Sequence, residues 1–259
     1  MPGELSVRDA RVTYRLPGGR RLNAVDGVSL DLASGEVLGL VGESGCGKST
    51  LARAICGLEP LSDGRIDFDG HAVTPLGLRK RGAGLRRIQM VFQNPYASLN
   101  PRRRIGEQIE DALFIAGPER STVGQLLEDV EMDSSAAQRF PHEFSGGQRQ
   151  RIAIARAIAA RPDVLIGDEP IASLDASLQA KIARLMRDIA LRNGASLLFI
   201  SHDLAVVRVI ADRVAVMQGG RIVEHGPVDQ VWSAPEDEYT RRLLAAIPIA
   251  DGLGRLPAG

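Results

Sequence analysis

The chain has 259 residues and a mass of 27.8 kDa, with 44% hydrophobic and 25% charged side chains, enough to bury a full α/β core. Basic side chains number 32 and acidic side chains 32, so the formal net charge is zero and the broad electrostatic attraction behind nucleic-acid binding is missing. Apolar runs such as Leu197-Leu198-Phe199-Ile200 fall far short of the ~20 residues that cross a bilayer, and residues 1–14 lack the apolar stretch of a secretory signal, so any membrane contact is expected through partners.

Residues 7–15 and 25–32 carry alternating apolar and β-branched side chains on either side of Pro17-Gly18-Gly19, which predicts two antiparallel strands joined by a turn. A short buried strand over 36–41 then runs into a glycine-rich loop and a helix over 48–56. Further strands are expected at 64–68 and 88–92, separated by a stretch that holds Arg79-Lys80-Arg81. From 101 to about 143 the pattern turns helical, at 107–115 and 123–130, broken by Gly117-Pro118. This predicts a helical subdomain inserted between core segments 1–100 and 144–235.

The α/β alternation then resumes: helix 146–160, strand 164–166, helix 176–191, strand 196–200, helix 204–210. Leu178, Ile182, Leu185, Met186 and Ile189 share one helical face, suited to cover a parallel sheet. Strands at 214–217 and 221–224 meet at Gln218-Gly219-Gly220. One domain over 1–247 is expected, followed by a flexible tail over 248–259, rich in Gly and Pro. Cys46 and Cys56 are the only cysteines; they read as reduced thiols and are too few for a four-cysteine iron–sulfur cluster.

Gly42-Glu43-Ser44-Gly45-Cys46-Gly47-Lys48-Ser49-Thr50 has the spacing of a phosphate-binding loop, in the strand–loop–helix context that such a loop requires. Glycines let successive backbone N–H groups converge on phosphate oxygens, and the helix start adds positive potential. Lys48 is expected to reach the β- and γ-phosphates and Ser49 to offer its hydroxyl oxygen to Mg²⁺. Asp168 and Glu169 leave the end of an apolar strand, the edge where ligands of open α/β sheets gather. Asp168 is expected to hold Mg²⁺ and Glu169 to polarise the attacking water. Ser145-Gly146-Gly147-Gln148 fits a helix capping box, yet its paired glycines favour an exposed helix start that receives the γ-phosphate held by another molecule.

Together these strings resemble the nucleotide-binding subunit of ATP-binding-cassette (ABC) transporters along residues 4–247. Phe144-Ser145-Gly146-Gly147-Gln148 is similar to the family's signature, Gln93 to its Q-loop, Ala172-Ser173-Leu174-Asp175 to its D-loop, and His202 in Ile200-Ser201-His202-Asp203 to its switch histidine. The resemblance implies the ABC ATPase fold: a P-loop core, an antiparallel β subdomain and an inserted helical subdomain. It also implies a head-to-tail pair of subunits with two ATP molecules between them. Tyr14 and residues 42–50 would line one side of each ATP; Ser145, Gly146, Gly147, Gln148 and Asp175 would line the other. Glu169, His202, Lys48 and Gln93 would take part in hydrolysis, and Ser49, Gln93 and Asp168 would face Mg²⁺. His71, His142 and His225 are expected at the surface, and Arg102-Arg103-Arg104 on a solvated face.

The runs Gln89-Met90-Val91-Phe92-Gln93-Asn94-Pro95, Ser98-Leu99-Asn100-Pro101-Arg102, Pro141-His142-Glu143-Phe144 and Tyr239-Thr240-Arg241-Arg242-Leu243-Leu244-Ala245-Ala246-Ile247-Pro248 resemble the ATPases of oligopeptide, dipeptide and nickel importers. That branch implies a second ATPase, identical or not, two membrane-spanning permeases and an extracytoplasmic binding protein, with this subunit at the cytoplasmic face of the membrane and no nucleic acid. Peptide leads nickel as cargo. The chain departs from the branch at Asp237-Glu238, where His-Pro is usual, and at Ile171-Ala172, where Thr or Val and then Ser are usual. A cassette ATPase attached to a soluble complex, such as phosphonate-cleaving machinery, also fits these strings.

Overall fold

A computed structural model of the chain describes residues 3–77, 82, 84–94, 98–116, 121–172 and 174–246. Arg79-Lys80-Arg81, Pro95, Gly117-Pro118, Ser173 and the expected tail over 248–259 lie outside the described residues.

Strands β1 (Leu5–Arg15) and β2 (Arg21–Leu32) pair antiparallel from Leu5↔Leu32 to Arg15↔Arg21, with Pro17–Gly19 closing the turn. Both are longer than their alternation alone predicts: pairing with β1 carries β2 back from Val25, its first buried apolar residue, to Arg21, and β1 begins two residues early at buried Leu5, which pairs with Leu32. They join β4 (Asp63–Phe68) and the two-residue β5 (His71–Ala72), which gives the sheet order β2-β1-β4-β5.

A second sheet runs β10-β9-β3-β8-β7-β6, built from β3 (Val37–Val41), β6 (Ile88–Val91), β7 (Val164–Asp168), β8 (Ser196–Ile200), β9 (Arg213–Gln218) and β10 (Arg221–Pro227). Its strands are parallel except β10, which returns antiparallel to β9. Such a sheet is covered on both faces, and its strands read as continuous apolar runs. Val37, Val41, Leu165, Leu197 and Phe199 face one hydrophobic cluster; Leu38, Leu40, Val164, Ile166, Leu198 and Ile200 face another.

Helix α1 (Lys48–Ile55) and the antiparallel sheet fill the second cluster. The first is filled by α2 (Ile105–Ala116), α3 (Val123–Asp129), α4 (Gly146–Ala159), α5 (Ala176–Arg192) and α6 (Leu204–Ile210). The apolar face predicted for 176–191 is realised: Ile182, Leu185, Met186 and Ile189 are buried, and Leu178 packs at the margin. Ile109 of α2 and Leu127 of α3 share this cluster with Ile152 of α4, so the inserted helices join the main core.

The C-terminal helices α7 (Val228–Ser233) and α8 (Glu238–Ala245) were not foreseen as elements. His71, His142 and His225 are exposed as expected. The Arg102-Arg103-Arg104 run is less free than a solvated face: Arg103 pairs with Glu107 and Asp111, and Arg104 lies over the Phe140 ring.

Candidate active site

The glycine-rich loop leaves β3 at Val41 and ends at Gly47, the N-cap of α1. Two of its glycines are demanded by the protein itself. A Cβ on Gly42 would lie 2.1 Å from the Met217 carbonyl oxygen, and one on Gly47 would lie 2.0 Å from that of Ala24; both residues also have positive φ. The loop is thus clamped between β9 and β2, and Gly220 adds an N–H to the Cys46 carbonyl at 3.0 Å.

Lys48 is only 4% exposed, and its Nζ donates to the carbonyls of Gly42 and Glu43, each at 2.8 Å. The first bond within α1 runs from Leu51 N–H to Gly47 O at 2.9 Å. The amides of Lys48, Ser49 and Thr50 therefore have no acceptor in the helix, and they add to the positive potential at its start. A cationic cradle of this kind suits a polyphosphate.

At the neighbouring strand ends, Ser49 Oγ donates to Asp168 Oδ1 at 2.6 Å, which joins α1 to β7. Burial raises the Asp168 carboxyl above the usual carboxylate range, against the opposing hydrogen bond from Ser49 and the charge of Arg53. A hydroxyl and a desolvated carboxylate are hard oxygen donors of the kind Mg²⁺ takes, and a cation there offsets the desolvation. No cluster of three or more His, Cys, Asp or Glu suited to a metal occurs among the described residues, so most of the ion's ligands would be water and phosphate oxygens. The donor set fits the ion.

A raised carboxylate pKa means that ionised Asp168 costs stability, a cost that vanishes as acid protonates the group. Asp168→Asn is therefore expected to raise the melting temperature of the nucleotide-free protein at neutral pH, with the gain shrinking as pH falls through the raised Asp168 pKa. Thermal unfolding across pH measures it; equal melting temperatures at neutral pH would contradict the burial argument.

Glu169 is held by its own N–H, which donates to Ile200 O at 3.0 Å, and adopts φ 47°, a left-handed conformation that is strained for a residue with a Cβ. Its Oε2 lies 3.3 Å from Nδ1 of His202, beyond the end of β8; Glu169 is 14% exposed at its side chain and His202 57%. Nδ1 donates when that nitrogen carries the proton. Gln93 is exposed two residues past β6, whose Val91 is in register with Gly167, so it occupies the same sheet edge as Asp168. Tyr14 is half-buried against the second core cluster; burial raises its hydroxyl pKa, and a hydrogen bond with Thr50 of α1 opposes the shift.

The structure thus links the Lys48–Ser49 helix start to the Asp168–Glu169 strand end through the Ser49–Asp168 bond, and places His202 beside Glu169. The Ser145 region forms a second group. Its capping box is real: Ser145 Oγ accepts from Gln148 N–H at 3.3 Å, and Gln148 Oε1 accepts from Ser145 N–H at 3.0 Å. Gly146 has open space around it, whereas a Cβ on buried Gly147 would meet Leu178 Cδ2 at 2.4 Å. The pair of glycines therefore has a packing reason as well as an exposure reason. Asp175 caps α5 by accepting from Leu178 N–H at 3.0 Å, and Ser177 holds its carboxyl below the usual range. Among the described residues no hydrogen bond joins this group to the loop. Sequence reasoning missed Tyr239, whose hydroxyl accepts the Glu43 N–H at 2.9 Å; the residue was visible only as part of a C-terminal run.

A glycine-rich loop and an acidic strand end on a parallel sheet, with an antiparallel sheet and extra helices attached, define a P-loop ATPase of the cassette type. The ABC transporter family profile matches residues 25–172, and the chain belongs to that family. A putative peptide import ATP-binding protein of Brucella abortus is 51% identical over 251 residues, covering 94% of this chain and 75% of that protein. The oligopeptide transport ATP-binding protein OppF of Bacillus subtilis is 45% identical over 254 residues, covering 95% and 83%. Among solved structures, a dimeric post-hydrolysis ATP-binding cassette bound to ADP and Pi superposes with TM-score 0.73 at 26% identity, covering 86% of this chain and 98% of that one.

Proposed function

We propose that this chain is the ATP-binding and ATP-hydrolysing subunit of an importer for di- and oligopeptides, docked at the cytoplasmic face of the membrane. The carrying observation is that the Lys48–Ser49 start of α1 is tied, through the Ser49–Asp168 hydrogen bond, to the strand end that carries Glu169, whose carboxylate lies beside His202. The cargo reading rests on relatives that are 45% and 51% identical and named for peptide transport. No helix among the described residues is long and apolar enough to cross a membrane, so the pathway itself would belong to two permease subunits, fed by an extracytoplasmic binding protein. The ATPase domain spans 1–247, with its helical subdomain at about 101–143.

In this reading Lys48 and the loop amides bind the triphosphate, and Tyr14 packs against the adenine. Ser49 and Asp168, with Gln93 beside them, hold Mg²⁺, which when bound neutralises phosphate charge and orients the transferring group. Glu169 accepts a proton from the attacking water, and its strained backbone and the contact with His202 fix the carboxylate. His202 is exposed enough to turn toward the γ-phosphate. Phosphoryl transfer needs chiefly positioning and charge neutralisation, so one subunit alone is incomplete. The exposed Ser145–Gly146 start of α4 in a second subunit, identical or not, closes the site, with Asp175 near the junction.

The test is reconstitution in vesicles with the permeases, the second ATPase and the binding protein. Peptide-loaded binding protein is expected to stimulate ATP hydrolysis and to drive uptake of a labelled tripeptide. Hydrolysis indifferent to the permeases, with copurification of soluble enzymes instead, would overturn the transport reading; nickel uptake without peptide uptake would overturn the cargo.

A further inference from the structure

The helices that the sequence left unassigned place one side chain against the phosphate loop. Tyr239 of α8 is 5% exposed, and its hydroxyl oxygen accepts the Glu43 N–H at 2.9 Å, across 196 positions of chain. Helix α8 is fixed at its start: Asp237 accepts from the N–H groups of Tyr239 at 2.8 Å and Thr240 at 3.4 Å. Glu224 of β10 in turn accepts from Glu236 N–H at 2.9 Å and Asp237 N–H at 3.1 Å. The phenol is therefore presented from a braced support.

The Glu43 N–H and the Gly42 carbonyl belong to one peptide unit, which is planar, with its N–H and C=O pointing in opposite directions. Tyr239 holds the N–H end, and Lys48 Nζ donates to the C=O end at 2.8 Å. Orienting one end orients the other. We infer that Tyr239 is a positioning residue: its hydroxyl sets the Gly42–Glu43 peptide plane, and through it the ammonium of Lys48. The inference rests on the ATPase reading of the site and adds to it a mechanical link from the C-terminal helix. Without the hydroxyl, the Glu43 N–H loses its acceptor and the peptide plane is held only at its carbonyl end, by Lys48.

Tyr239→Phe keeps the ring and removes only the oxygen. The KM for ATP is expected to rise about three- to tenfold, the worth of one hydrogen bond, with kcat within about twofold of wild type. In the nucleotide-free protein, hydrogen–deuterium exchange of the segment containing Glu43 is expected to quicken, while the melting temperature falls by no more than a few degrees. An unchanged KM, or exchange as slow as in wild type, would overturn the inference. The exchange arm needs no nucleotide, so a wild-type protein that failed to hydrolyse ATP would count against the active-site reading and still leave the Tyr239 link decided.

Discussion

Glu169→Gln is expected to stop turnover while leaving ATP bound. The amide has the size of the carboxylate, adopts the same left-handed backbone at φ 47°, and can still accept from His202 Nδ1 through its oxygen. What it lacks is the basicity to take a proton from water. General-base catalysis contributes ~10²–10⁴-fold, so kcat should fall by that order with little change in ATP affinity. Steady-state hydrolysis and equilibrium binding of ATP measure the two quantities separately. A variant that turns over at the wild-type rate would remove Glu169 from the chemistry.

Lys48→Ala should act on the other quantity. The ammonium is buried and bound to two loop carbonyls, so its removal deletes the charge over the phosphates and leaves the Gly42 and Glu43 oxygens without that donor. A charged hydrogen bond from the ammonium to phosphate is worth about 1.5–3 kcal/mol, which predicts a loss of ATP affinity on the order of 100-fold. Calorimetric titration with ATP checks it. Undiminished affinity would mean that Lys48 serves the loop alone.

The two variants fail differently because their residues belong to different parts of one edge: Lys48 to a helix start, Glu169 to a strand end. That division was legible in the sequence, since both motifs are local. A loop between a predicted strand and helix has few other conformations, and an acidic pair after an apolar run must leave the sheet at its C-terminal edge. The inserted helices were legible for the same reason, from the spacing of residues such as Ile109 and Leu127.

What escaped was non-local. The starts of β1 and β2 are set by cross-strand pairing, at Leu5↔Leu32 and at Arg15↔Arg21, which no single-strand pattern contains. Helix α8 is short, fully buries only Tyr239 and Thr240 with Leu243 and Leu244 packed at the margin, and its hold on Glu43 spans most of the chain. Gly147 looked like a residue left bare for a ligand, and its contact with Leu178 emerged only once α4 and α5 were packed together. Ser145 and Asp175 show the same limit: each caps a helix here, and a cap and a ligand contact look alike in sequence.

In the proposed mechanism each ATP site is shared between two subunits. The most direct measurement is the structure of the Glu169→Gln protein in its assembled complex with ATP and Mg²⁺ bound. A triphosphate is expected within hydrogen-bonding reach of both the Lys48 loop of one subunit and the Ser145 helix start of the facing one. A nucleotide gripped by one subunit alone, with the other's Ser145 turned to solvent, would contradict it.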